Sequence, residues 1–228
     1  MQTNDTFRAI GATPYLYPTP AVLIGCAGTD PNPEGPGRPN LITVAWAGIC
    51  CSHPPMLSIA VRPERHSHAL LTETREFTVN LVGEPLLRAM DYCGVKSGRD
   101  VDKFAVLGLH ALPAPELRYA PALAEAPAFL SCRVQQVIPL GSHDLFLAEI
   151  LQVHVQEAFF RPDGSIDEAA MQLVGFVHGK YRALGPEIGF FGFAVAGDAA
   201  LRRRMPAKPA RKEAPFGKKP TQVNRKPR

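Results

Sequence analysis

No apolar run in this chain reaches the roughly 18 to 20 residues that a bilayer-spanning helix needs, and the opening MQTNDTFRAIG has no basic-then-apolar leader pattern. A cytoplasmic protein is the expectation. The five cysteines (Cys26, Cys50, Cys51, Cys93, Cys132) are odd in number, lack a C-x-x-C pair and belong to a chain too long to need disulfide staples, so reduced thiols are expected. There is no G-x-G-x-x-G after a strand and no G-x-x-x-x-G-K-[ST], which removes the usual glycine-rich phosphate cradles. The serine-hydrolase elbow G-x-S-x-G is missing too; the nearest string, GVKSG at 94–98, has the wrong spacing. His66 and His68 stand two apart with no third ligand in view, and no metal is expected.

What is present is a chain of 228 residues, long enough for one large domain or two small ones against a prior of roughly 150 residues per domain. Apolar residues make up 46%, and 23 prolines with 19 glycines imply many turns. The net charge of +4 is unevenly placed. Residues 201–228 hold 11 of the 25 Lys and Arg and one acid, Glu213, for +10, leaving 14 basic against 20 acidic residues in 1–200, a net of −6. The expected organisation is therefore an acidic globular domain over 1–200 and a basic, proline-rich, disordered tail over 201–228. Nucleic acid or an acidic partner could be met only through that tail.

Strand signals dominate the body. YLYPTPAVLIGCA (15–27) is a proline-rich lead into an apolar run, and TDPNPEGPGRPN (29–40) is a loop by its prolines and glycines. LITVAWAGI (41–49) reads as one strand and MLSIAVR (56–62) as another, separated by CCSHPP. A short helix over 67–74 with Ser67 as its N-cap is expected, then a strand over 76–81, EFTVNL. A helix over 85–92 precedes the polar loop CGVKSGRDVDKF (93–104), of a kind that often carries function, and a helical turn over 103–107. Strands are expected within 128–140, 145–160 and 173–184. Many strands without β-then-helix alternation argue for a mainly β, antiparallel barrel with a few short helices.

At PNLITVAWAG (39–48) the chain resembles the flavin reductase-like family, the FMN-binding split barrels, and among them the flavoredoxin-type members. The match continues in order through PP (54–55), EFTVNL, CGVKSGRDVDKF, GSHDLFLAEI (141–150) and HGKYRALG (178–185). The resemblance implies an antiparallel split β-barrel and a homodimer with FMN at the subunit interface. It implies that Asn40, Thr43, Ala45 and Trp46 line the ring and ribityl region, with Cys51 and Ser52 close by. Lys103 stands in the family's DKF motif, and His143 is the candidate catalytic group, although Ser142 replaces the aspartate that usually precedes it. For the 5′-phosphate, which needs N–H donors and cations, the end of MLSIAVR and the following PERHS offer Arg62, Arg65 and Ser67.

The resulting expectation is an oxidoreductase that holds FMN noncovalently and passes electrons from NADH, NADPH or a protein donor to flavin or a second acceptor. The flavin accepts hydride, and the protein orients the ring. The alternative is a noncatalytic FMN-binding module whose basic tail docks nucleic acid or an acidic partner.

Overall fold

In a computed structural model, residues 7–30, 32, 35 and 37–205 are described. The first compact unit runs over Met1–Leu184 and holds the strands β1 (Thr19–Pro20), β2 (Val22–Cys26), β3 (Asn40–Val44), β4 (Ala47–Ser52), β5 (Pro55–Val61) and β6 (Glu76–Asn80). It continues with β7 (Ala111–Pro113), β8 (Pro121–Leu123), β9 (Ala128–Pro139), β10 (Asp144–Val155), β11 (Val174–Val177) and β12 (Lys180–Ala183). Three helices join them: α1 (His66–Thr74), α2 (Leu87–Val95) and α3 (Lys103–Leu107). The expected antiparallel, mainly β fold with few short helices is what the chain adopts.

Seven strands form one antiparallel sheet in the order β3-β2-β6-β9-β10-β5-β4. β3 and β4 are neighbours in sequence yet occupy opposite edges, joined only by Ala45 and Trp46. A two-residue link can reach from edge to edge only if the sheet curls back on itself, so this link closes the barrel. The amide of Ala60 donates to Trp46 O at 2.9 Å, which extends the β4–β5 ladder into this link. Register shifts at Leu147/Ala148 and Ile150/Gln152 in β9–β10, and at Ile49/Cys51 in β4–β5, supply the local twist that the curl requires. The single strand expected over 41–49 is thus two strands: apolarity at both faces hid the bend between them.

β2 and β6 are buried at every position because each face of the sheet meets a core. Val22, Ile24, Phe77 and Val79 point into the barrel with Ile59 and Phe146, whereas Leu23 and Leu41 pack outward against Met90 of α2 and Phe104 of α3. The outward polar residues of β6 are satisfied through β8: Thr78 Oγ1 donates to Pro121 O (2.6 Å), and Asn80 Oδ1 accepts from Leu123 N (2.8 Å). β8 and its partner β7 carry no strand signal that length and composition expose. Gly25 sits where a Cβ would stand 2.2 Å from Pro121 O, so the close approach of β8 depends on its lacking a side chain.

Some boundaries move. α1 starts one residue earlier than expected, with Arg65 at the N-cap and Ser67 inside the helix. A 3-10 turn (Glu84–Leu86) leads into α2, which runs on to Val95, so the polar loop opens at Lys96. The second compact unit spans Gly185–Arg228. Within it, α4 (Asp198–Arg204) crosses the boundary expected at 200, and residues 201–204 are helical rather than disordered. The remainder of the expected disordered tail, 206–228, lies outside the described residues. No helix among the described residues is long and apolar enough to cross a membrane.

Candidate functional site

Two cavities adjoin where β3 runs beside the start of α1, and both are lined by Ile42 and Arg65. The first encloses about 270 Å³. One wall is the N-terminal turn of α1, Arg65 to Ser67; the other is the loop after α2, with Lys96, Ser97 and Arg99. The chain reaches this geometry because Pro63 ends β5, Arg65 N bonds Arg62 O (3.1 Å), and the helix begins at once. Arg65 is extended (φ −71, ψ 137), and no side chain caps α1. Arg65 N and His68 N are taken by Arg62 O (3.1 Å) and Arg65 O (3.0 Å), which leaves the amides of His66 and Ser67 beside the cavity with the positive end of the helix dipole.

Lys103 forms the floor. It is 3% exposed, and its Nζ donates to Leu41 O (2.6 Å) and Cys93 O (2.9 Å), so two of its three N–H groups are used and one is left to the cavity it lines. Burial pushes its pKa down, opposed by the nearby Cys93 and Cys26 sulfurs. Burial also lowers His66, and Arg99, Arg38 and Lys103 add to the effect, so this imidazole is neutral in a strongly cationic setting. The cavity gathers Arg65, Lys96, Arg99 and Lys103 against Glu64 and Asp100. Such a donor set suits a phosphomonoester.

Behind it is a second set of contacts that holds the walls in place. Asn40 is 2% exposed and donates through Nδ2 to Ser67 Oγ at 2.8 Å. Arg38 Nη2 donates to Gly98 O at 2.9 Å, fixing the loop that carries Lys96 and Arg99.

The second cavity, about 170 Å³, is lined by Thr43, Ala45, Trp46, Arg62 and His143. Thr43 Oγ1 donates to Met90 O, which ties β3 to α2. Trp46 is 45% exposed, and its ring lies 4.6 Å from that of His143. An isolated tryptophan in an apolar strand would ordinarily be core; here the β3–β4 link turns it outward. Burial and the Arg62 guanidinium hold His143 below the usual imidazole range, with Glu64 opposing.

Of the residues singled out in the sequence, Thr43, Ala45, Trp46, Arg65, Ser67, Lys103 and His143 line one of the two cavities, and Asn40 lies directly behind Ser67. Arg62 lines the second cavity and not the first, and pairs at 3.4 Å with Glu64, which lines the first. Cys51 and Ser52 sit at the β4–β5 hairpin tip, about 17 and 20 Å along the strand from Trp46 at ~3.3 Å per residue, and line neither cavity. An extended strand carries them away from Trp46 despite their closeness in sequence. His66 and His68 lie on a helix, the first at the cationic cavity and the second bonded to Asp144. Lys96, Ser97 and Arg99 were missed individually, although the polar string KSGR inside a glycine-bearing loop was their signal.

The family model described as flavin reductase like domain matches residues 15–185. The chain belongs to the flavin reductase-like family. Among solved structures, this family member is similar to the flavoredoxin of Desulfovibrio vulgaris (Miyazaki F), at 33% identity and a TM-score of 0.74 over 82% of this chain and 98% of that one. An uncharacterized protein of Archaeoglobus fulgidus is 32% identical over 67% of this chain and 80% of its own length. The reductase component of a Rhodococcus opacus 4-nitrophenol 4-monooxygenase/4-nitrocatechol 2-monooxygenase is 31% identical over 51% of this chain and 58% of that protein. The split-barrel architecture and membership of a flavin-binding family follow together.

Proposed function

We propose that this flavin reductase-like protein is a cytoplasmic homodimer that binds FMN noncovalently and passes electrons from NADH, NADPH or a protein donor to flavin or a second acceptor. The observation that carries the reading is the joining of the two cavities: one cationic and sized for a phosphate, the other edged by an indole and an imidazole, with Arg65 and Ile42 in both. The likeness to flavoredoxin, over nearly the whole of that protein, supports the carrier form of this activity, and the likeness to a monooxygenase reductase component supports donor-driven reduction.

When bound, FMN supplies a ring that accepts hydride and hands electrons on. The chain's own residues do the rest. Arg65, Lys96 and Arg99 would neutralise the phosphate charge, the Ser67 hydroxyl and the amides of His66 and Ser67 would supply neutral donors, and Lys103 would add its remaining N–H. Asn40 holds the Ser67 hydroxyl in place. Thr43, Ala45 and Trp46 shape the slot for the ring. His143, held neutral, closes the slot against Trp46 and limits water without introducing a charge. Hydride transfer needs no general base, and none is assigned.

An absorbance spectrum of the FMN-loaded protein, recorded anaerobically before and after NADH or NADPH, tests the reading. Bleaching of the visible flavin band by one nucleotide is the expected result. Failure to retain or reduce FMN with either nucleotide, or with a chemical reductant followed by an acceptor, overturns it.

A further inference from the structure

His68 and Asp144 form a hydrogen bond that neither cavity uses. His68 Nε2 stands 2.8 Å from Asp144 Oδ2, and both side chains are mostly buried, at 16% and 17% exposure. The imidazole lies edge-on to the fully buried Phe146 ring, with centroids 5.3 Å apart, and Thr72 Oγ1 bonds the His68 carbonyl at 2.9 Å. This bond adds a polar tie between α1 and β10 to the packing of Leu70 and Leu71 with Phe146.

Its two ends matter because of their sequence neighbours. His68 directly follows Ser67, which lines the cationic cavity; Asp144 directly follows His143, which lines the aromatic one. The turn that carries His143 is otherwise lightly held. Gly141 and Ser142 are exposed, and the contacts of the turn, Leu140 N to His143 O (2.9 Å) and Ser142 Oγ to His143 Nδ1 (2.9 Å), close it on itself rather than on the body. Across the sheet, Asp144 pairs with Val61 and Pro139, so the strand register is fixed up to the residue after His143, while His143 itself stands in the turn before the strand. A short bond from a packed helix to the side chain of the next residue, Asp144, fixes where the strand ends and the His143 turn begins.

We propose that His68 and Asp144 are positioning residues: their hydrogen bond sets the pose of His143 against Trp46, and so the shape of the pocket that a reduced nicotinamide enters over the flavin. The nicotinamide clause rests on the function proposed above; the tether itself does not.

The protein carries one tryptophan, so the emission of the full chain reports on Trp46 alone. His143→Ala gives the emission of an indole without its imidazole neighbour. His68→Leu is expected to shift the emission toward that of His143→Ala, and to raise KM for NADH or NADPH roughly tenfold with little change in kcat, since loss of pose without loss of chemistry acts on binding. His68→Gln keeps an N–H near the Nε2 position and is expected to restore both readouts. If His68→Leu does not fold, Asp144→Leu, with Asp144→Asn as its rescue, carries the same comparison. Wild-type emission in the leucine variant, or a glutamine variant no better than the leucine one, overturns the tether. A wild-type protein that oxidises neither nucleotide removes the functional reading, while the emission comparison still decides the tether.

Discussion

Gly98→Ala is the most informative small change. A Cβ on Gly98 would stand 2.3 Å from Asn40 Oδ1 and 2.7 Å from His66 Cδ2. Those distances are roughly 1 Å short of the ~3.5 Å at which non-bonded atoms are comfortable. Asn40 cannot yield, because it is buried and its amide is bonded to Ser67. The loop therefore retreats, and Lys96, Ser97 and Arg99 retreat with it. Loss of one hydrogen bond to a charged group costs about 1.5–3 kcal/mol, which is about ten- to a hundredfold in Kd. Quenching of flavin fluorescence, titrated with FMN and with riboflavin, reads the effect. FMN affinity is expected to fall by that factor while riboflavin, which lacks the phosphate, binds the variant as it binds the wild type. Unchanged FMN affinity, or equal losses for both ligands, would refute the assignment of this loop to the phosphate.

Arg99→Leu and Arg62→Leu separate the two cavities: the first is expected to weaken FMN by about tenfold or more, whereas Arg62, whose exposed pair with Glu64 is worth little, leaves FMN affinity within about twofold in the same titration. The depressed pKa values of His66 and His143 mean that the unfolded chain takes up protons first as pH falls below the ordinary imidazole value of 6.5. Stability in urea should therefore be fully present above that pH and decline on acidification below it, and His66→Gln should flatten the decline; a wild-type profile that is flat or rises toward acid contradicts the burial of these rings. Removal of residues 206–228, which hold eight basic residues and one acid, changes the net charge from +4 to −3. FMN affinity and mass in solution should be unchanged by this cut, and any retention on nucleic acid should be lost together with its salt dependence.

Much of this molecule is legible in its residues, for reasons that differ along the chain. β5, β9 and β10 announce themselves because each is a strand-length apolar run bounded by turn residues. β3 and β4 do not separate in the sequence, since a bend between two edges is set by the closure of the whole sheet. β8 stays hidden because it is held by Thr78 and Asn80, partners more than forty residues away, and β7 because it pairs only with β8. The site shows the same division. Arg65, Ser67, Trp46 and Lys103 can be picked out by chemical type and family resemblance, but which cavity Arg62 and Arg65 line is set by the turn between β5 and α1, where Arg62 meets the second and Arg65 both. Lys96 and Arg99 become visible only when α2 and Arg38 place their loop opposite α1. Cys26, Cys93 and Cys132 are buried, and burial pushes their thiols up to about 11, 11 and 12, so they stay protonated, as reduced core cysteines should.

The affinity of the wild-type protein for FMN against riboflavin, measured at low and high salt, bears most directly on the central claim that the joined cavities hold FMN by its phosphate. FMN is expected to bind about a hundredfold more tightly, as two charge-assisted bonds require, with the gap narrowing as salt screens the cations around the 270 Å³ cavity. Equal affinity for the two ligands at both salt concentrations would contradict it.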